Sequence, residues 1–88
     1  YRRRAPVERR ISEIEEELPR LEREAREADL LLADPNHYSD PALVMETIER
    51  KRSLGERMSL LTGEWEELYA KLGGIRSEFE EQKGEIAV

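Results

Sequence analysis

Two Asp-Pro pairs, Asp34-Pro35 and Asp40-Pro41, enclose four residues in the middle of the chain. A residue that precedes proline is pushed out of the helical region of backbone space, so a helix is expected to end at or before Asp34. Pro41 suits the first turn of a second helix, where its missing N–H group costs nothing, and Ser39 or Asp40 can cap that turn. Because the flanking sequences are long, charged and periodic, the segment predicts a reversal between two antiparallel helices.

Apolar residues before the reversal recur with alternating steps of four and three residues, which is the spacing of a coiled-coil seam. This seam consists of Val7, Ile11, Ile14, Leu18, Leu21, Ala25, Ala28 and Leu32. It predicts a helix over residues 6–33, after a basic lead-in at residues 1–5. Pro19 lies in the middle of this helix, where proline costs about 3 kcal/mol. We therefore expect a kink or a short break between two collinear segments at Pro19.

A second seam predicts a helix over residues 41–72. Its members are Val44, Thr47, Lys51, Leu54, Met58, Leu61, Trp65, Leu68 and Leu72. Gly73 and Gly74 indicate a helix end, but Ile75 and Phe79 continue the register, so a short extra helix within the tail at residues 73–88 is plausible. The predicted fold class is all-α, an antiparallel two-helix coiled-coil hairpin at residues 6–72 with its turn at residues 34–40.

Charge on the flanks of the seams selects the register. One register gives three attractive cross-helix pairs, which are Arg10 with Glu64, Glu17 with Arg57, and Glu24 with Arg50. A slide by one heptad places like charges together instead, and we therefore expect the first register. It sets Ile14 opposite Met58 and Leu31 opposite Leu43. It also leaves Leu72, Ile75 and Phe79 without a partner in the hairpin, so we expect them to fold back on its base, to form a homodimer, or to dock on a parent protein.

The composition excludes several classes of protein. Charged residues make up 41% of the 88 residues and aromatic residues 6%, which suits a coiled coil better than a compact α/β domain. The absence of cysteine excludes disulfides and thiolate metal sites and fits a reducing cytoplasm. No apolar run is long enough to span a membrane. The chain begins with Tyr1 rather than Met and is interpreted as a fragment of a longer protein.

Several landmarks, in order and spacing, resemble the C-terminal domain of ABC-F ATPases of the Uup type. They are Glu17-Leu18-Pro19, Leu32-Ala33-Asp34-Pro35 with Tyr38 after it, Asp40-Pro41 and Trp65-Glu66-Glu67-Leu68. In that family the domain is a coiled-coil hairpin that follows two ABC ATPase modules. The resemblance implies a soluble bacterial parent protein that binds ATP and Mg²⁺ and acts at the ribosome or on nucleic acid. This chain contains no GxxxxGK[ST] motif, so we expect it to be non-catalytic and to hold no cofactor itself.

Arginines are the candidate nucleic-acid contacts, because phosphate recognition requires clustered cations. The predicted contacts are Arg2, Arg3, Arg4, Arg9, Arg20, Arg23, Arg50, Arg52 and Arg57. The alternative is that most of these side chains form ion pairs with the many glutamates. The net charge of −6 argues against nonspecific binding by the whole surface. No catalytic residue is predicted, and a single histidine without cysteine indicates no metal site.

At the tip, His37 and Tyr38 are positioned so that a ring could stack on a base. We favour the alternative that Tyr38 packs against Leu32 and Leu43 to close the loop. Three functions stay open for the chain. The first is a nucleic-acid-contacting arm of an ABC-F ATPase. The second is a protein–protein or self-association module, and the third is the helical arm of a release factor or valyl-tRNA synthetase. The Trp65-Glu66-Glu67-Leu68 segment favours the first.

Overall fold

In a computed structural model, two long antiparallel helices are joined by one turn of 3-10 helix. Helix α1 spans Arg4–Ala33, the 3-10 turn spans Pro35–Ser39, and helix α2 spans Pro41–Ala87. The structure describes the backbone of residues 4–87 and the side chains of residues 4–74. Within this part of the chain there is no strand, so the all-α helical hairpin predicted from the two seams is confirmed.

Helix α1 runs without interruption through Pro19 and begins two residues earlier than predicted. Pro19 faces solvent, so its ring displaces no core side chain. The seam keeps its phase on both sides, since Ile14 and Ala28 are both fully buried. Packing against α2 therefore outweighs the local cost of the proline, and the helix does not break there.

Helix α2 continues through Gly73 and Gly74, so the predicted helix end at residue 72 is wrong. No glycine of the described backbone has the positive φ that a glycine cap requires. Leu72 anchors this turn in the core, which offsets a cost of about 1 kcal/mol per helical glycine. The segment proposed as a tail or separate short helix is part of α2 as far as Ala87, and the side chains of Ile75 and Phe79 lie outside the described residues.

Both aspartates of the Asp-Pro pairs act as caps at the reversal. The Asp34 carboxylate accepts a hydrogen bond from the backbone N–H of Asn36 at 3.0 Å. The Asp40 carboxylate accepts from the N–H groups of Ala42 at 3.1 Å and Leu43 at 3.3 Å. Both aspartates have extended backbone angles, as expected for residues before proline. These caps satisfy N–H groups that the first turn of a helix leaves without a partner.

His37, and not Tyr38, closes the loop. His37 is 8% exposed and its Nε2 atom lies 2.9 Å from the hydroxyl of Thr47. That hydroxyl donates its one hydrogen to the carbonyl of Leu43 at 2.9 Å, so Nε2 of His37 must be the donor to Thr47. Tyr38 is 54% exposed, and the expectation that it packs against Leu32 and Leu43 is wrong. The buried hydroxyl at a seam position is satisfied by the imidazole, while the phenol stays in water.

Among residues 4–74 the core is one seam between the helices. Its buried apolar members are Val7, Ile11, Ile14, Ala28, Leu61 and Leu72. At the base of the hairpin, Leu72 packs with Val7 and Ile11, and Trp65 and Leu68 pack against this cluster. The expectation that Leu72 lacks a partner is therefore wrong, because Leu72 packs with Val7 and Ile11 of α1.

Two of the three predicted cross-helix ion pairs are present and establish the register. Arg10 contacts Glu64, and Arg57 contacts Glu17. The third pair, Glu24 with Arg50, is not among the ion pairs of residues 4–74. Near the tip, Asp29 pairs with Lys51 on the other flank instead.

Candidate nucleic-acid interface

The predicted arginines divide into two groups according to whether a carboxylate already holds the guanidinium. Arg2 and Arg3 lie outside the described residues. The ion-paired group comprises Arg4, Arg52 and Arg57. The second group forms neither an ion pair nor a side-chain hydrogen bond with residues 4–74, and it comprises Arg9, Arg20, Arg23 and Arg50. Only the second group can meet a phosphate without first displacing a glutamate.

The ion-paired arginines are held within their own helix or across the seam. Arg4 lies 3.2 Å from Glu8, one helical turn away. Arg52 donates to Glu49 from Nε at 3.0 Å and also contacts Glu56. The hydrogen bond from Arg52 lowers the pKa of the Glu49 carboxyl below its ordinary value. Their positive charge is thus matched by adjacent negative charge, as expected for pairs spaced by three or four residues on a helix.

Arg10 bonds to Glu64 across the seam and to Glu13 within α1. It donates to Glu64 from Nε at 2.6 Å and from Nη2 at 3.0 Å, and to Glu13 from Nη1 at 3.1 Å. The hydrogen bonds raise the pKa of Arg10 and, reciprocally, lower the pKa of the Glu64 carboxyl below 4.5. Arg10 therefore serves the register of the hairpin and not a ligand.

The Arg10–Glu64 pair is expected to make the free energy of unfolding depend on pH. Because the pKa of Glu64 is lowered in the folded state, the unfolded state binds more protons as the pH falls through about 4.5. The contribution of the pair is therefore complete above that pH and is lost as the pH falls through the folded pKa. We expect E64Q to lower the melting temperature at pH 7 and to flatten its decline as the pH falls below about 4.5. Circular dichroism at 222 nm measures both.

The matched control is E16Q, which removes an exposed carboxylate that has no ion pair with the described residues. Its melting temperature should follow the wild-type pH profile. If E64Q shows the same acid dependence as wild type, the pair does not contribute to folding.

Three of the unpaired arginines, Arg9, Arg20 and Arg23, lie on one side of α1, and we call them the outer arginine face. All three are exposed. At about 100° per residue their directions fall within about 60° of one another, on the side of α1 opposite the buried seam. At a rise of about 1.5 Å per residue they extend along about 21 Å of helix. Glu13, Glu16 and Glu27 share this side and reduce its positive potential.

The remaining candidates do not join this face. Arg50 lies on the flank of α2 and lines a groove at the tip with Leu31 and Leu43. Arg26, which is not among the predicted contacts, is exposed and has no ion pair with the described residues, but it lies about 100° around α1 from Arg9. Its place on a flank was readable from the heptad spacing alone. The nine predicted contacts are therefore not one patch.

At the tip, burial removes His37 as a stacking platform and leaves Tyr38 exposed. Among the described side chains, no group of histidine and carboxylates is arranged to hold a metal ion. Within the same part of the chain, neither helix is both long and apolar enough to cross a membrane.

A family model described as the ABC transporter C-terminal domain matches residues 7–70. The matched region contains both Asp-Pro pairs, almost the whole of both seams and the outer arginine face. No curated protein and no solved structure matches the chain.

Proposed function

The chain belongs to the ABC transporter C-terminal domain family, and from this premise we propose that it is the non-catalytic coiled-coil arm of an ABC-F type ATP-binding protein. In this proposal the arm contacts the phosphate backbone of DNA or ribosomal RNA through the outer arginine face. ATP and Mg²⁺ bind the ATPase modules of the parent protein, and the protein works in the cytoplasm.

The observation that carries the proposal is the absence of carboxylate partners for Arg9, Arg20 and Arg23 among residues 4–74. In a chain with 21 acidic and 15 basic residues, a basic side chain is expected to find a carboxylate easily. These three guanidinium groups keep their donors free and share one side of α1. A span of about 21 Å runs alongside about six phosphates of one B-form strand, which are about 3.4 Å apart along the axis.

The charge of the whole chain sets the strength and the type of binding. A net charge of −6 and the glutamates beside the outer arginine face oppose the approach of a polyanion. Binding is therefore expected to be weak and steeply dependent on salt. Contacts to phosphate carry no sequence information, so the arm should position the parent protein on its target and not select a base sequence.

The test compares two triple variants with the same change in net charge. The first, R9Q/R20Q/R23Q, removes the outer arginine face. The second, R4Q/R52Q/R57Q, removes three arginines that glutamates already hold. Fluorescence anisotropy with labelled DNA and RNA duplexes measures binding from 50 to 200 mM salt, and circular dichroism verifies that each variant is helical.

We expect R9Q/R20Q/R23Q to weaken binding at low salt by about tenfold or more and to reduce the slope of log K against log salt by about 3, or about 1 per phosphate contact. The control triple should keep the wild-type slope. Equal effects of the two triples would assign binding to net charge and contradict the proposal, as would no binding by wild type.

A self-association module is the second candidate function. Leu72 is buried inside the hairpin and is not available for it. Homodimer formation through Ile75 and Phe79 stays a prediction, tested by sedimentation of I75S/F79S against wild type. Membership of the ABC family favours the ABC-type parent over the release-factor and synthetase alternatives.

A further inference from the structure

The tip of the hairpin, residues 27–49, holds the net charge of the chain. It contains six carboxylates and neither lysine nor arginine, so its formal charge of −6 equals that of all 88 residues. The carboxylates belong to Glu27, Asp29, Asp34, Asp40, Glu46 and Glu49. Asp29 and Glu49 pair with basic residues just beyond the tip. The other four have no ion pair with the described residues. Arg26 and Arg50 border the tip and also have no ion pair with these residues, so the end of the hairpin carries an excess of two unpaired carboxylates.

Among the described side chains, the tip also exposes most of the large apolar residues that lie at the surface. Of the eight exposed large hydrophobic residues in the described chain, six belong to the tip, and they are Leu30, Leu31, Tyr38, Leu43, Met45 and Ile48. Leu30 is 71% exposed and Met45 is 66% exposed. Large apolar side chains clustered at a surface mark interaction sites more often than single ones do. The end of the arm therefore combines negative charge with apolar surface.

This surface contains a groove. It has a volume of about 290 Å³ and is lined by Leu31, His37, Leu43, Glu46, Thr47 and Arg50, which we call the tip groove. The buried His37–Thr47 hydrogen bond holds one part of its lining in place. Its volume lies just below the range for small-molecule pockets, about 300–1,000 Å³, and suits one or two apolar side chains.

Charge decides which occupant fits the tip groove. Glu46 and Arg50 balance each other in the lining of the groove, and the other unpaired tip carboxylates give the end of the hairpin its excess negative charge. This excess repels a nucleic acid, an anionic membrane and a second tip. A segment that carries apolar side chains together with lysine or arginine is attracted. We propose that the tip groove docks a cationic amphipathic helix of a partner protein. One of its apolar side chains enters between Leu31 and Leu43, and its cations approach Glu46 and the other tip carboxylates. Helices bind grooves in this way through anchors spaced by three or four residues.

The two surfaces of the arm are separate, so the proposal does not depend on nucleic-acid binding. The outer arginine face lies on the stem, and the tip groove lies at the free end of the hairpin. Each can fail in experiment without affecting the other.

The probe is a fluorescein-labelled synthetic peptide of 18 residues with leucine at helical spacing and lysine elsewhere. A scrambled peptide of the same composition, which cannot form an apolar face, is the second probe. Anisotropy is measured for wild type, for L31S/L43S and for the matched control L60S/Y69S, which alters two exposed apolar residues outside the tip. E46Q with its control E67Q tests the charge without altering an apolar side chain.

We expect wild type to bind the amphipathic peptide more tightly than the scrambled one, with ¹⁵N amide shifts confined to the tip. L31S/L43S should weaken binding by about tenfold or more, and E46Q should weaken it more than E67Q does. The control L60S/Y69S should bind as wild type does.

Equal binding of both peptides, or equal losses of affinity in both double variants, would overturn the proposal, because attraction between charges alone would then explain the binding. A concentration-dependent dimer that L31S/L43S abolishes would overturn it by assigning the groove to a second copy. Tip amide shifts on addition of DNA or RNA would overturn it by assigning the groove to nucleic acid.

Discussion

Replacing Ile14 with alanine is expected to lower the free energy of unfolding by about 2–5 kcal/mol. The side chain is 0% exposed and lies in the middle of the seam. A hairpin of two helices has no third layer that could move in to fill a cavity, so the lost contacts are not replaced. Urea denaturation followed at 222 nm gives the difference by linear extrapolation.

The matched control is L60A. Leu60 is 69% exposed on the same hairpin, and its replacement should change the free energy of unfolding by less than about 0.5 kcal/mol. Equal effects of I14A and L60A would mean that Ile14 does not face α2 and that the seam is misplaced.

Replacing Pro19 with alanine is expected to stabilise the chain by up to about 3 kcal/mol. Alanine restores an N–H group that can bond to the carbonyl of Glu15 and removes the clash between the proline ring and that carbonyl. Pro19 is exposed, so no core contact is lost. For a domain of this size, each 1 kcal/mol raises the melting temperature by about 4–8 °C, so thermal melts detect the change readily.

Pro6 offers the matched control, because it lies in the first turn of α1, where a missing N–H group costs nothing. P6A should leave the melting temperature nearly unchanged. A melting temperature for P19A that is equal to or below that of wild type would show that α1 requires the proline in its middle.

The parts of the fold that were predictable from sequence depend on regular spacing. The Asp-Pro pairs located the reversal because each aspartate is disfavoured in the helical region by the proline after it and can also cap the turn that follows. The register followed from Arg10 with Glu64 and Glu17 with Arg57, since a slide by one heptad reverses the sign of these interactions.

The parts that sequence missed depend on tertiary packing. His37 and Tyr38 are adjacent, and the choice of which ring turns inward is made by the hydroxyl of Thr47, ten residues away. The two glycines at residues 73 and 74 predict a helix end from local propensity, and the burial of Leu72 overrides it. Neither outcome can be predicted from the neighbouring residues in the sequence.

The candidate interface was predictable only in part for the same reason. The pairs Arg4–Glu8 and Arg52–Glu56 follow from a spacing of four residues. Arg20 also has a glutamate four residues away, Glu16, yet forms no ion pair with it. The spacing in the sequence therefore does not identify the unpaired arginines, and the side-chain positions in the structure do.

Arginine Nε–Hε NMR signals report directly which guanidinium groups meet phosphate during titration with a DNA or RNA duplex. We expect the signals of the outer arginine face to shift while those of Arg10 and Arg57, already bonded to glutamates, stay in place. Shifts at Arg10 and Arg57 without shifts at the outer arginine face would contradict this expectation.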